Sequence, residues 1–241
     1  MPKLLPLLAL AAILIPTIAE GADRIDAYPL DTCAVATKSK LGGMGDPVVK
    51  VIDGREFRLC CERCVAKLEA DPAKFAASVD ARIIEAQKAS YPLTTCVVSG
   101  EPLDADAVDF VVGNTLLRTC CKNCVRKVQS KPENYLAKLD EAIVAAQAKE
   151  YPLTTCAVSG EALEGKSIDV IVGNRLVRLC CKGCKKGVSK DPAAVLAAVE
   201  AGWSAKSKGA EKKGAPEKAG LEKAGLKKAG LKKAEPPQKS G

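Results

Sequence analysis

The chain has 241 residues, a net charge of +8 and only 3% aromatic residues, which excludes a large aromatic core. Histidine is absent, so the commonest general base and the commonest nitrogen ligand for metals are both missing. Any metal site must therefore be built from sulfur, with carboxylate or water as a supplement. The 12 cysteines are the leading candidates for function.

The first 19 residues predict a secretory signal peptide. Lys3 gives a positive start, and the run from Leu4 to Ala19 is apolar apart from Thr17. This run is shorter than the roughly 20 residues that a spanning helix needs, and small residues at its end suit cleavage. We expect an exported protein, periplasmic or extracellular, with no membrane span in the mature chain. An uncleaved membrane anchor is the alternative.

One cysteine pattern then occurs three times: a lone Cys, followed after a spacer by Cys-Cys-x-x-Cys. The first cysteines of the clusters, at 60, 120 and 180, recur with a fixed period, which is typical of a repeated unit. The sequence predicts three tandem modules at 28–90, 91–150 and 151–203. Units of this size bury only about 60% of their unfolded surface, so they need a metal, disulfides or neighbours to fold.

Each module is predicted to hold a β-hairpin and then helices, which makes the fold class α+β. Two-residue turns of Gly with Asn or Asp are a strong hairpin signal, and they lie at 53–54, 113–114 and 173–174. The predicted strands are 48–52 with 55–60, 108–112 with 115–120, and 168–172 with 175–180. Three additional residues in the first module are expected around Gly42–Gly45 as a loop insertion.

Two helices are predicted after each cluster. Asp71-Pro72 and Asp191-Pro192 are good starts for the second helix, because Asp caps and Pro suits the first turn. Apolar residues spaced by four, as in Phe75, Val79 and Ile83, predict a core-facing stripe. Trp203 is expected to end the last helix. The tyrosine that opens each module, at 28, 91 and 151, is expected to pack on the core or to shield the sulfur site.

The cysteine quartets predict metal binding. Four thiolates complete a tetrahedral zinc site, and soft sulfur also suits Cu(I). Arginines at 58, 118 and 178 share a strand face with the first cluster cysteine, where they would offset thiolate charge or lie exposed without a functional partner. The predicted zinc or copper ligands are Cys33, Cys60, Cys61, Cys64, Cys96, Cys120, Cys121, Cys124, Cys156, Cys180, Cys181 and Cys184.

The lone Cys, the hairpin spacer, the Cys-x3-Cys of Cys60 and Cys64, and the Asp71-Pro72 break resemble the TRASH and YHS family of heavy-metal-binding modules. The resemblance covers most of residues 28–203. It implies a compact treble-clef-like fold, a role in metal sensing, trafficking or resistance, and ligation by Cys33, Cys60, Cys64 and their counterparts. The additional cysteine, at 61, 121 or 181, is a departure from the family pattern; it would be a fourth ligand or an adjacent thiol for transfer or redox.

Two other functions remain open, because exported proteins also keep disulfides. One is a disulfide-stapled interaction protein that docks an anionic surface or polymer. The other is thiol–disulfide exchange through Cys-x-x-Cys. Three identical copies favour metal capacity over catalysis, so we expect a non-enzyme.

The tail at 204–241 is rich in Lys, Ala and Gly and is predicted to be disordered. It carries 11 Lys and 4 Glu, a net +7, which leaves +1 of the total +8 for the rest of the chain. Such a tail can bind an anionic polymer or surface by charge, or it can simply aid solubility. No specific nucleic-acid partner is predicted.

Overall fold

The computed structural model describes residues 22–213 apart from residue 166, with side chains up to residue 208. The predicted signal peptide and the chain beyond residue 213 lie outside these residues. The described chain is a mixed α+β structure, which confirms the predicted class. No helix in this part of the chain has the length and apolar character needed to cross a membrane.

A hairpin followed by two helices occurs three times along the chain, and we use the names modules 1, 2 and 3 for the predicted ranges 28–90, 91–150 and 151–203. The elements in order are β1 (Asp23–Arg24), β2 (Val48–Ile52), β3 (Arg55–Leu59), α1 (Glu62–Ala70), α2 (Pro72–Lys88), β4 (Val108–Val112), β5 (Thr115–Thr119), α3 (Lys122–Ser130), α4 (Pro132–Gln147), β6 (Ile168–Val172), β7 (Arg175–Leu179), α5 (Cys184–Lys190) and α6 (Pro192–Lys213).

The three predicted hairpins are confirmed. The strands pair antiparallel across the expected two-residue turns, and each second strand ends one residue earlier than predicted, directly before the first cluster cysteine. The turns need a left-handed backbone, with φ of 50° at Asp53 and 57° at Gly113. Glycine takes this conformation without a steric penalty, which explains its place in the turn.

The predicted helix starts and core stripes are also confirmed. The Asp71 carboxylate accepts a hydrogen bond from the Lys74 N–H at 3.1 Å, and Asp191 accepts one from Ala194 at 3.0 Å. On α2, Val79 and Ile83 are fully buried. Each cap satisfies an N–H group that has no partner within the helix.

Helix α6 continues past Trp203 to Lys213, so the expected end of the helix at Trp203 is wrong. Residues 204–213, expected to be disordered, are helical. The reason is local: six of these ten residues are Lys or Ala, which favour helix. In addition, the Lys206 ammonium donates to the Glu150 backbone carbonyl at 2.8 Å, which ties the helix to module 2.

The hydrophobic cores cross the module boundaries. Leu139 and Ile143 of α4 pack in one cluster with Ile171 and Leu176 of the third hairpin. Likewise, Val111 of the second hairpin packs against the core of module 1. Modules 1 and 2 thus each gain burial from the module that follows, which suits units of a size that is marginal alone.

Two buried glutamines join consecutive modules. At the end of α2, the Gln87 side chain donates to the Asn114 carbonyl at 3.0 Å and accepts from the Leu116 N–H at 2.8 Å. Gln147 repeats both bonds one module later, at 2.9 Å to Asn174 and 3.0 Å from Leu176. One amide therefore satisfies two backbone groups that the buried turn leaves without partners.

The short strand β1 was not predicted. It pairs in parallel with β6 of module 3, and together with β7 they form a three-stranded sheet. The Arg24 guanidinium donates to the Thr115 hydroxyl of module 2 at 2.6 Å and to the Gly173 carbonyl of module 3 at 3.0 Å, and it forms an ion pair with Asp140. The segment before module 1 thus connects modules 2 and 3.

Replacing the bridging glutamine should destabilise the protein. Gln87→Ala or Gln147→Ala leaves a buried carbonyl and a buried N–H without partners, so we expect each to lower the free energy of unfolding by about 2 kcal/mol. Urea unfolding followed by circular dichroism measures this. The matched control is Ser207→Ala at the corresponding position of α6, where the side chain is exposed. Equal effects of Gln87→Ala and Ser207→Ala would contradict the assigned role.

Candidate metal centres

The lone cysteine of each module lies in a tight turn that directs backbone N–H groups at its sulfur. The Cys33 Sγ accepts from the N–H groups of Ala36 at 3.3 Å and Cys60 at 3.4 Å. In module 2 the turn is closed by the Cys96 N–H donating to the Glu101 carbonyl at 2.7 Å. N–H groups aimed at sulfur favour the thiolate, the form that binds metal.

The other cysteines lie where the hairpin meets the next helix. Cys60 directly follows β3, and Cys61 is the N-terminal cap of α1. The Cys64 N–H donates to the Cys61 carbonyl at 3.0 Å, which folds the cluster into a turn with its side chains together. The hairpin carries this turn to the lone cysteine 27 positions earlier.

Three sulfurs meet in every module, and their Sγ atoms lie within 4.8 Å of one another. Site 1 is Cys33, Cys60 and Cys64; site 2 is Cys96, Cys120 and Cys124; site 3 is Cys156, Cys180 and Cys184. All of them were predicted. They are the same members of each quartet that the resemblance to the TRASH and YHS modules marks as ligands.

The sulfur spacing fits a thiolate-bound metal. The Sγ atoms are 3.7 Å apart for Cys60 and Cys64, 3.8 Å for Cys120 and Cys124, and 3.6 Å for Cys180 and Cys184. Tetrahedral zinc with Zn–S bonds of about 2.3 Å requires sulfurs about 3.8 Å apart. These sulfur pairs are therefore at the spacing that a tetrahedral zinc site requires.

The fourth cysteine of the quartet lies beside the group of three and is not part of it. The Cys61 Sγ is 4.0 Å from that of Cys60 and 3.9 Å from that of Cys64, and the Cys181 Sγ is 3.7 Å from that of Cys184. Each site thus has three gathered sulfurs and a neighbouring thiol. All twelve cysteines, every one within the described residues, are free of disulfide bonds.

The lone and the helical cysteines prefer opposite protonation states. Burial would raise the pKa of Cys96 and Cys156, but hydrogen bonds from a serine and from backbone N–H groups outweigh it and lower the pKa of each to about 6. Burial, together with hydrogen bonds to neighbouring sulfurs, raises the pKa of Cys124 to about 12. Within each group of three sulfurs, the lone cysteine is therefore the thiol that ionises at the lowest pH.

A serine contacts the cluster in modules 2 and 3. The Ser99 Oγ lies 3.5 Å from the Cys120 Sγ, and the Ser159 Oγ lies 3.3 Å from the Cys180 Sγ. Sequence reasoning missed these serines. The signal was present, because Cys-x-x-Ser-Gly occurs at 96–100 and 156–160, whereas module 1 has Ala36 three positions after its lone cysteine.

One of the three additional residues of module 1 lies before the loop around Gly42–Gly45 in which all three were expected. Leu41 donates to the carbonyl two positions before its lone cysteine, as Leu103 does in module 2. Leu41 is eight positions after Cys33, whereas Leu103 is seven after Cys96. One of the three additional residues thus lengthens the cysteine turn itself, and only two lie between Leu41 and the hairpin.

The arginines before the clusters do not act on the cysteines. Arg118 and Arg178 pair with the carboxylates opposite them, Asp109 at 2.7 Å and Asp169 at 3.1 Å. Arg58 is buried, pairs with Glu56 and donates to the Ser189 and Lys190 carbonyls of module 3. The prediction that they offset thiolate charge is wrong, because nearer carboxylates and carbonyls take the guanidinium groups.

The tyrosines that open the modules belong to the core. Tyr28 is fully buried and donates from its hydroxyl to the Thr32 carbonyl at 3.0 Å. The Tyr91 hydroxyl accepts from the Arg118 N–H at 3.2 Å, and that of Tyr151 accepts from Arg178 at 3.0 Å. Of the two predicted roles, packing on the core is therefore confirmed.

Comparison of the chain with models of protein families, with curated proteins and with solved structures gave no match.

The stability of the metal-free, reduced protein should depend on pH through the lone cysteines. Folding lowers the pKa of Cys96 and Cys156 from 9.0 to about 6. Their contribution is therefore complete above pH 9 and is lost as the pH falls towards 6. Urea midpoints at pH 6, 7.5 and 9 measure this. Cys96→Ser with Cys156→Ser should flatten the dependence.

The control for this experiment is Cys124→Ser. Because the pKa of Cys124 is raised to about 12 in the folded chain, this thiol keeps its proton between pH 6 and 9 and should not contribute to the slope. A slope as steep in the Cys96→Ser, Cys156→Ser variant as in the unmodified chain would contradict the assigned thiolates.

Proposed function

We propose that this protein is exported and holds a thiophilic metal, zinc or copper, in its three cysteine sites, for buffering, trafficking or resistance outside the cytoplasm. The observation that carries the proposal is the convergence of three sulfurs in every module to within 4.8 Å. Export rests on the apolar start of the sequence, and the biological role rests on the resemblance to TRASH and YHS modules. Neither implies catalysis.

The donor set supports a soft metal. Thiolates select zinc and Cu(I) over hard cations, and histidine is absent from the chain. Cys33, Cys60 and Cys64, with their counterparts, would supply three ligands. Cys61, Cys121 or Cys181 would supply the fourth where the metal is tetrahedral. When bound, the metal would replace three weak sulfur contacts by strong bonds and so stabilise a small module.

Metal content tests the proposal directly. Native mass spectrometry of the mature protein, purified without added reductant, should show three zinc or Cu(I) ions per chain. If the protein retained no metal and every thiol were oxidised, the result would contradict the proposal and favour the disulfide-stapled interaction protein. Thiol titration after chelation separates these outcomes, because metal-bound cysteines return as free thiols and bridged cysteines do not.

Single ligand substitutions should each remove one metal ion. Cys64→Ser, Cys124→Ser and Cys184→Ser delete one buried sulfur each from sites 1, 2 and 3, so we expect two ions per chain in place of three. The stoichiometry measured by elemental analysis checks this. Ser130→Ala, an exposed helix position, is the control and should keep three. Unchanged stoichiometry in all three cysteine variants would contradict the assigned ligands.

A further inference from the structure

The three sites share their geometry but differ in their access to solvent. Cys60 of site 1 is buried, whereas Cys120 and Cys180 of sites 2 and 3 are partly exposed. The neighbouring fourth thiol follows the same order, because Cys61 is partly exposed whereas Cys121 and Cys181 are exposed. An incoming ligand can therefore reach the sulfurs of sites 2 and 3 more easily than those of site 1.

The first cluster sulfur also has different neighbours. In sites 2 and 3 a serine hydroxyl lies 3.5 and 3.3 Å from it, and in site 3 the Cys180 thiol also donates to the Glu161 carboxylate at 3.1 Å. A hydroxyl that donates to one of the site's thiolates, either the lone cysteine or the first cluster cysteine, stabilises that charge and so weakens the hold of the site on a metal. In site 1 the corresponding position is Ala36, which has no hydroxyl, so site 1 lacks this hydrogen bond.

Module 1 is fixed to another module next to its cluster. Arg58, two residues before Cys60, donates to the Ser189 and Lys190 carbonyls at the end of α5. In modules 2 and 3 the corresponding arginines pair within their own hairpins, with Asp109 and Asp169. Opening site 1 thus breaks contacts with module 3 as well as its own, which raises the cost of local opening.

Resting on the proposed function, we propose that the sites have different tasks: site 1 keeps its metal as a structural ion, and sites 2 and 3 exchange metal with the thiol groups of a donor or acceptor. An incoming thiolate forms one metal–sulfur bond for each cysteine–metal bond that breaks. The proton lost by the incoming thiol is balanced by the proton taken up by the released cysteine. No electron transfer is involved.

The experiment follows transfer of zinc from the fully loaded protein to a small dithiol in excess. We expect two ions per chain to leave quickly and one to leave slower by a factor of about ten or more, since hydrogen bonds to charged groups are worth that much. Alkylation of released thiols at half transfer, with peptide mass spectrometry, identifies the sites in the unmodified chain. Cysteines of sites 2 and 3 should be labelled, and those of site 1 should not.

Matched substitutions test the cause. Ser99→Ala with Ser159→Ala should slow the fast phase, and Ala36→Ser should speed the slow phase, with three ions still bound at the start. Equal transfer rates, or labelling of site 1 first, would overturn the inference and leave the proposed function intact. A chain that binds no metal at the outset would instead overturn the proposed function.

Discussion

The structure depends on one constraint: sulfurs far apart along the chain must meet at the end of a short hairpin. The hairpin satisfies this constraint because its register is fixed, with Val48 opposite Leu59 and Ile52 opposite Arg55 in module 1. A slip of one residue would turn every side chain to the other face and would move Cys60 away from the Cys33 sulfur. The left-handed turn at Asp53 and Gly54 therefore helps to set the geometry of the candidate metal site from the opposite end of the hairpin.

The second determinant is size. A module of about 60 residues is marginal on its own, and the modules share cores, as Ile143 does with Ile171. The buried amides of Gln87 and Gln147 add direct links at the same boundaries. Because metal binding would contribute to folding free energy, occupancy of one candidate site would affect the stability of its neighbours through these contacts.

Local features were predictable from the sequence, and long-range ones were not. The hairpins follow from two-residue turns, and the helix starts follow from Asp-Pro, because each depends on residues close in sequence. Arg24 and Asp140 are 116 positions apart in the sequence, so their pairing depends on how the whole chain between them folds. Gln87 was partly predictable. It continues the buried stripe of Val79 and Ile83 at the same spacing, and a polar residue at a buried position indicates a hydrogen-bond partner, although the sequence does not say which one.

The candidate site shows the same division. The sequence placed the sulfurs together because their spacing recurs three times, but it assigned the arginines incorrectly. The residue opposite each arginine explains why. Arg118 and Arg178 face Asp109 and Asp169, whereas Arg58 faces Val49. An apolar residue opposite gives a guanidinium no partner, so Arg58 turns to Glu56 and the carbonyls of module 3. A change of one cross-strand residue thus converts a contact within a hairpin into a contact between modules, while the sulfur geometry stays the same.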